Sequence, residues 1–150
     1  MYVVSRRDIF TDVAAILHPL PELPDADDAA YDGLFDQREL AAEDQERTAE
    51  HLRLSWEEGQ QDPLIYALAA ARRAKEEADE QIRQLLAYGR EFVQPRPYTL
   101  GDLAAAAGFK SASGVRTAYG HHDVDAVSAA TGAKPREWRA PDPAESEVPA

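Results

Sequence analysis

Residues 98–119 read YTLGDLAAAAGFKSASGVRTAY, and the way this stretch divides decides the fold. Thr99 stands three residues before Asp102, the hydroxyl-x-x-acid spacing that satisfies free N–H groups at a helix start. Leu100, Leu103, Ala104 and Ala107 follow at helical spacing and form one narrow apolar face. Gly108 suits the left-handed conformation that ends a helix and turns the chain sharply. Ser111 is a natural N-cap for a second helix, in which Val115 and either Ala118 or Tyr119 point inward. The alanines matter physically, because larger side chains would wedge two closely crossing helices apart.

Two short helices joined by a glycine-containing turn are what a helix-turn-helix requires. On Leu103, Ala104, Ala107, Gly108, Val115 and Ala118 the stretch resembles the helix-turn-helix family of bacterial regulators, including the sigma-factor-like type frequent in actinobacteria. The resemblance covers about a seventh of the chain directly. It departs from the commonest spacing by one extra residue between Gly108 and Val115, with Phe109 and Lys110 in the turn. It implies that the second helix enters the major groove of double-stranded DNA. In that register Ala112, Ser113, Gly114, Arg116 and Thr117 are exposed. Arg116 is the residue able to pair with guanine in bidentate fashion, and Ser113 and Thr117 can bond to bases or phosphates. Ser111 and Lys110 flank this surface, and Arg96, Tyr98 and Thr99 are candidate phosphate anchors at the first helix. Gly114 is unusual, since glycine inside a helix costs about 1 kcal/mol relative to alanine. Close approach to DNA or a frayed helix start would each account for it. Without DNA contact, the same pair is an αα-hairpin in a helical bundle.

Working outward, Pro95 and Pro97 end a long preceding helix that starts after Asp62-Pro63 and runs from Leu64 to about Val93. Leu64, Leu68, Ala71, Lys75, Ala78, Ile82, Leu85, Gly89 and Phe92 recur along it at alternating four- and three-residue steps. That is a heptad seam of about four heptads, with Lys75 and Gly89 as poor core residues. Either the seam packs on the N-terminal helices, or Leu64, Leu68, Ala71, Ala78, Ile82, Leu85 and Phe92 form a homodimer interface. A dimer would offer two reading helices to a palindromic site, which suits so thin a basic surface.

Upstream, Asp8 caps a short helix over Ile9–Leu17 that His18-Pro19 ends. Residues 19–33 read as an extended acidic linker, and a sparsely apolar helix follows from Leu34 to Gly59. Downstream, a short helix is expected from Asp123 or Val124 to Thr131, stopped by Gly132, with Val124, Val127 and Trp138 closing a small core. No alternating strand pair suggests a wing. The tail 140–150 is acidic and proline-rich, as disordered segments are.

The expected architecture is all-α: an acidic helical region over 1–62, a long helix over 63–94, a helix-turn-helix domain over 95–139 and a tail. Composition bears on partners. The net charge of −12 opposes a phosphate backbone, but its distribution is uneven. Residues 1–62 hold 5 basic and 16 acidic side chains, whereas residues 95–122 hold 3 and 1. The acidic region is a candidate contact for a protein partner, and it would also discourage non-specific DNA binding. There is no cysteine, no apolar run of the roughly 18 residues a membrane span needs, and no signal-peptide pattern at the start. The expectation is a soluble cytoplasmic protein without membrane contact.

No phosphate loop, dinucleotide fingerprint or nucleophile elbow occurs, so the chain is not read as an enzyme and no cofactor is expected. His121, His122 and Asp123 are adjacent, so their side chains diverge, and a helix start explains them better than a metal. Two functions stay open: a sequence-specific DNA-binding regulator, and a non-catalytic adaptor that uses the acidic region and long helix.

Overall fold

The computed structural model describes residues 8–136. Six helices make it up: α1 (Ile9–Leu17), α2 (Tyr31–Gly59), α3 (Pro63–Glu91), α4 (Leu100–Ala107), α5 (Ala112–Ala118) and α6 (His121–Thr131). The architecture is all-α, with no strand among the described residues. The chain divides into two compact units at Arg73/Ala74, within the continuous helix α3. The separate long-helix region expected over 63–94 is thus shared between the two units. Trp138 and the tail 140–150 lie outside the described residues.

In the first unit the Asp8 carboxylate caps α1 by accepting the Phe10 N–H at 3.0 Å. Arg53 of α2 pairs with that carboxylate and lies 5.7 Å over the Phe10 ring. This hydrogen bond to Arg53 holds the Asp8 carboxyl below the usual carboxylate range. Val13 of α1, Leu52 of α2 and Ala67 of α3 are buried together, with Phe10 against them. The acidic connection is tethered rather than free. Gln45 donates to the His18 carbonyl at 2.6 Å and Arg38 to the Pro21 carbonyl at 2.7 Å.

One boundary differs from the sequence reading. Helix α2 starts at Tyr31, three residues early, because Asp28 accepts the Ala30 N–H and Tyr31 stacks on Phe35. Its other end falls at Gly59, as expected, with Gln60 as the left-handed residue after it (φ 53°). Two residues on, Asp62 accepts the N–H groups of Leu64 and Ile65, both at 3.0 Å, and starts α3 behind Pro63.

The second unit packs α4, α5 and α6 on the C-terminal half of α3. Leu86, Ala104 and Val115 form one buried cluster, flanked by Leu100, Leu103, Ala107, Phe109, Ala118 and Tyr119. Ala87, Phe92 and Val127 form another, flanked by Val124 and Tyr119. Gly89 is buried where Leu103 closes in: a β-carbon there would lie 3.2 Å from the leucine methyl. The glycine that looked misplaced in the heptad seam is therefore a contact point for α4.

That arrangement corrects the seam at its end. Phe92 is only 7 % exposed, in the core beside Val127, so it is not available to a dimer interface. Apart from Gly89, the rest of the seam is not what packs intramolecularly either. In the first unit Pro63 and Ala67 are buried, while Leu64 (47 %) and Leu68 (58 %) stay exposed.

Candidate nucleic-acid interface

The α4–α5 pair is built by local chemistry. The Thr99 hydroxyl accepts the Asp102 N–H at 3.1 Å and starts α4. Gly108 ends it in the left-handed region (φ 77°), and the Phe109 N–H returns to the Ala104 carbonyl at 2.8 Å. The extra residue in the turn thus folds inward. Phe109 packs beside Val115, and its side chain faces Gly114, where a β-carbon would meet it at 3.5 Å. Gly114 is half-buried for that reason. Of the two inward candidates, Ala118 and Tyr119 both flank the core.

Ser111 occupies the N-cap position of α5 without capping it; its hydroxyl bonds to that of Ser113 at 2.9 Å instead. The Thr117 hydroxyl donates to the Gly114 carbonyl at 3.3 Å. Lys110, Ser111, Ser113, Arg116 and Thr117 are all exposed on this module. Arg96, Tyr98 and Thr99 are exposed at the entry to α4. The Tyr98 backbone is fixed there by its N–H to the Gly89 carbonyl at 3.0 Å and by Arg90, which donates to its carbonyl at 2.8 Å. The entry is therefore anchored to α3. Asp102 is the acid nearest in sequence to this basic surface, exposed in the first turn of α4.

Two polar contacts that the sequence did not disclose tie this module and the following α6 to α3. The Tyr119 hydroxyl donates to Glu91 at 2.8 Å. Burial, reinforced by Glu91, pushes its pKa up to about 12. Asp123 is buried, accepts the Gly120 N–H at 3.0 Å and faces Arg83 of α3 at 3.5 Å. Because Asp123 reaches back to Gly120, α6 starts at His121, two residues before the earliest expected position. His121 and His122 sit exposed in its first turn. Among the described residues no group of three or more histidine and acidic side chains converges. An acid three residues after Gly120 was the one signal in the sequence for this cap; neither Glu91 nor Arg83 is marked by spacing.

No family model matches the sequence, and comparisons with curated proteins and with solved structures find no match. Among the described residues no helix is long and apolar enough to cross a membrane.

Proposed function

We propose that the chain is a sequence-specific DNA-binding protein, a transcriptional regulator that acts as a homodimer and uses α4–α5 as its helix-turn-helix. What supports this is one observation: α5 turns Val115 into the core while Ser113, Arg116 and Thr117, with Lys110 and Ser111 before them, face outward. Arg116 reads guanine in the major groove, and the two hydroxyl side chains on α5 contact bases or phosphates. Arg96, Tyr98 and Lys110 bind phosphates on either side and fix the register. Thr99, its hydroxyl already engaged with Asp102, serves this anchor as the helix start. Gly114, facing Phe109, contributes shape rather than a contact.

A second reading draws on α2, whose acids, among them Glu39, Glu43, Glu46, Glu50, Glu57 and Glu58, are exposed. Here the chain is an adaptor whose first unit binds a basic protein and whose α4–α5 pair serves packing alone. Selection of bound sequences from a random DNA pool at near-physiological salt separates the two, because low salt would inflate non-specific binding. The DNA-binding reading expects an enriched site containing guanine. An unenriched pool would favour the adaptor.

A further inference from the structure

Along α3 the residues Leu64, Leu68, Ala71, Lys75, Ala78, Ile82 and Leu85 lie on one stripe of an uninterrupted helix, and all are exposed. Leu64, Leu68 and Leu85 are 47 %, 58 % and 66 % exposed, and Ile82 is partly covered at 37 %. In the second unit apolar grooves widen the stripe on both sides of Leu85. One is lined by Tyr88, Val127 and Ala130 and the other by Ile82, Leu103 and Ala106. A helix that carries leucine and isoleucine outward at heptad spacing is half of a coiled coil. The open question is which partner, and in which direction.

We infer that a second copy of this chain covers the stripe, with its α3 running antiparallel and Lys75 of each copy facing Ala78 of the other. Charge decides the direction. In a parallel pair Lys75 would meet Lys75 of the second copy inside the seam, two like charges offset only by Asp79 of the same helix, four residues on. The flanking positions would then set Ala74 against Asp79, Ala67 against Arg72 and Gln81 against Leu86, with no opposite charges brought together. In the antiparallel register, positions before and after the seam pair with their own kind. Arg72 of each copy then lies beside Asp79 of the other, twice by symmetry, and each Lys75 has Asp79 of the second copy next to the alanine it faces. Arg72 already interacts within its own chain, so the inter-chain pair extends that network rather than creating it from nothing.

Packing volumes favour the same choice. The antiparallel layers set Leu68 against Leu85 and Ile82 against Ala71, so a large side chain meets a small one at the layers next to Lys75. The parallel arrangement would stack Ala71 on Ala71 and Ala78 on Ala78, next to Leu68 and Ile82 layers of twice the bulk. Interdigitating cores avoid such alternation of gaps and bulges. The stripe ends at Leu85 because the next position, Gly89, is already occupied by Leu103. At 1.5 Å per residue the two Leu86 positions come to lie roughly 28 Å apart along the seam. That is of the order of one turn of DNA, about 34 Å.

The inference rests on the dimer of the proposed function but is tested without DNA, so its failure leaves the DNA-binding question to the pool selection. The chain has no cysteine, which makes single-cysteine variants unambiguous. Full-length Leu68→Cys and Leu85→Cys are each oxidised mildly, alone and as an equimolar mixture, and disulfide-linked dimers are separated and mapped. The antiparallel seam gives a linked Leu68→Cys/Leu85→Cys pair in the mixture and little or none from either variant alone. Linking of each variant to itself would overturn it in favour of a parallel pair. Sedimentation of the parent chain as a monomer at high concentration would overturn it altogether.

Discussion

Leu85 and Leu86 are neighbours on α3 with opposite fates: the first is 66 % exposed and the second 3 %. The face bearing Leu86, Ala87 and Gly89 is closed by α4, α5 and α6 through small residues, Ala104 and Val115 among them. On the neighbouring face Leu85 is exposed and Ile82 partly covered. The buried face of α3 thus carries Leu86, Ala87 and Gly89, with Phe92 just past its end, while Leu85 stays outside. An internal core and an external surface on one helix have been built from the two sets of residues. The spacing is what gives the exposed stripe its meaning, because a solitary exposed leucine is unremarkable and a periodic row is not.

The sharpest contrast comes from shortening each leucine's reach in turn. Leu86→Ala opens a cavity between α3 and the α4–α5 pair and lowers stability by about 2–4 kcal/mol, read by chemical denaturation of the full chain. A loss below about 1 kcal/mol would mean that the pair does not depend on α3. On the outer surface of the same unit, Arg116→Ala weakens binding to a selected DNA site by about 1–3 kcal/mol and relaxes one base position, while leaving the unfolding transition in place. Equal binding of every sequence by variant and parent would remove Arg116 as a reader. Leu85→Gln shifts the unfolding free energy of the dilute chain by no more than about 0.5 kcal/mol, as expected of an exposed site. Its effect is on mass, with sedimentation at high concentration moving from dimer to monomer.

The smallest effect concerns Tyr119, whose hydroxyl ties α5 to α3 through Glu91. Its pKa is raised from the usual 10 to about 12, so the folded state holds the phenol proton more tightly than the unfolded chain. The stabilisation is complete below pH 10 and is lost as pH rises through 12. Thermal unfolding midpoints of the parent should therefore fall across that window by more than those of Tyr119→Phe. Parallel curves would show that the phenol contributes nothing to alkaline sensitivity.

Local chemistry was legible in the sequence. Asp8, Asp62-Pro63 and Thr99 start the helices they were read to start, and Gly108 and Gly132 end theirs in the left-handed region. The two-helix pattern of 98–119 was equally plain, because capping and turning residues act within a few positions. Choices of partner across the fold were not. The heptad spacing marks Leu64 and Leu68 as the apolar row, yet Ala67, one step aside, is what meets Val13 and Leu52. Alanine makes contact only where another helix comes close, and spacing along one helix says nothing of that. Phe109 sits in the turn as an extra residue, yet it packs half-buried against the cluster of Leu86, Ala104 and Val115. Asp123 pairs with Arg83 forty residues away, a match no local pattern signals.

In the proposed function the outward face of α5 reads DNA while the inward face holds the fold. Its most direct test is an NMR titration of the full-length, isotope-labelled chain with a duplex of the selected sequence at near-physiological salt. The largest amide shifts are expected over residues 110–117, with smaller ones near Arg96 and Thr99 and little change in α1 and α2. Shifts confined to the acidic helices, or none at saturating duplex, would contradict it.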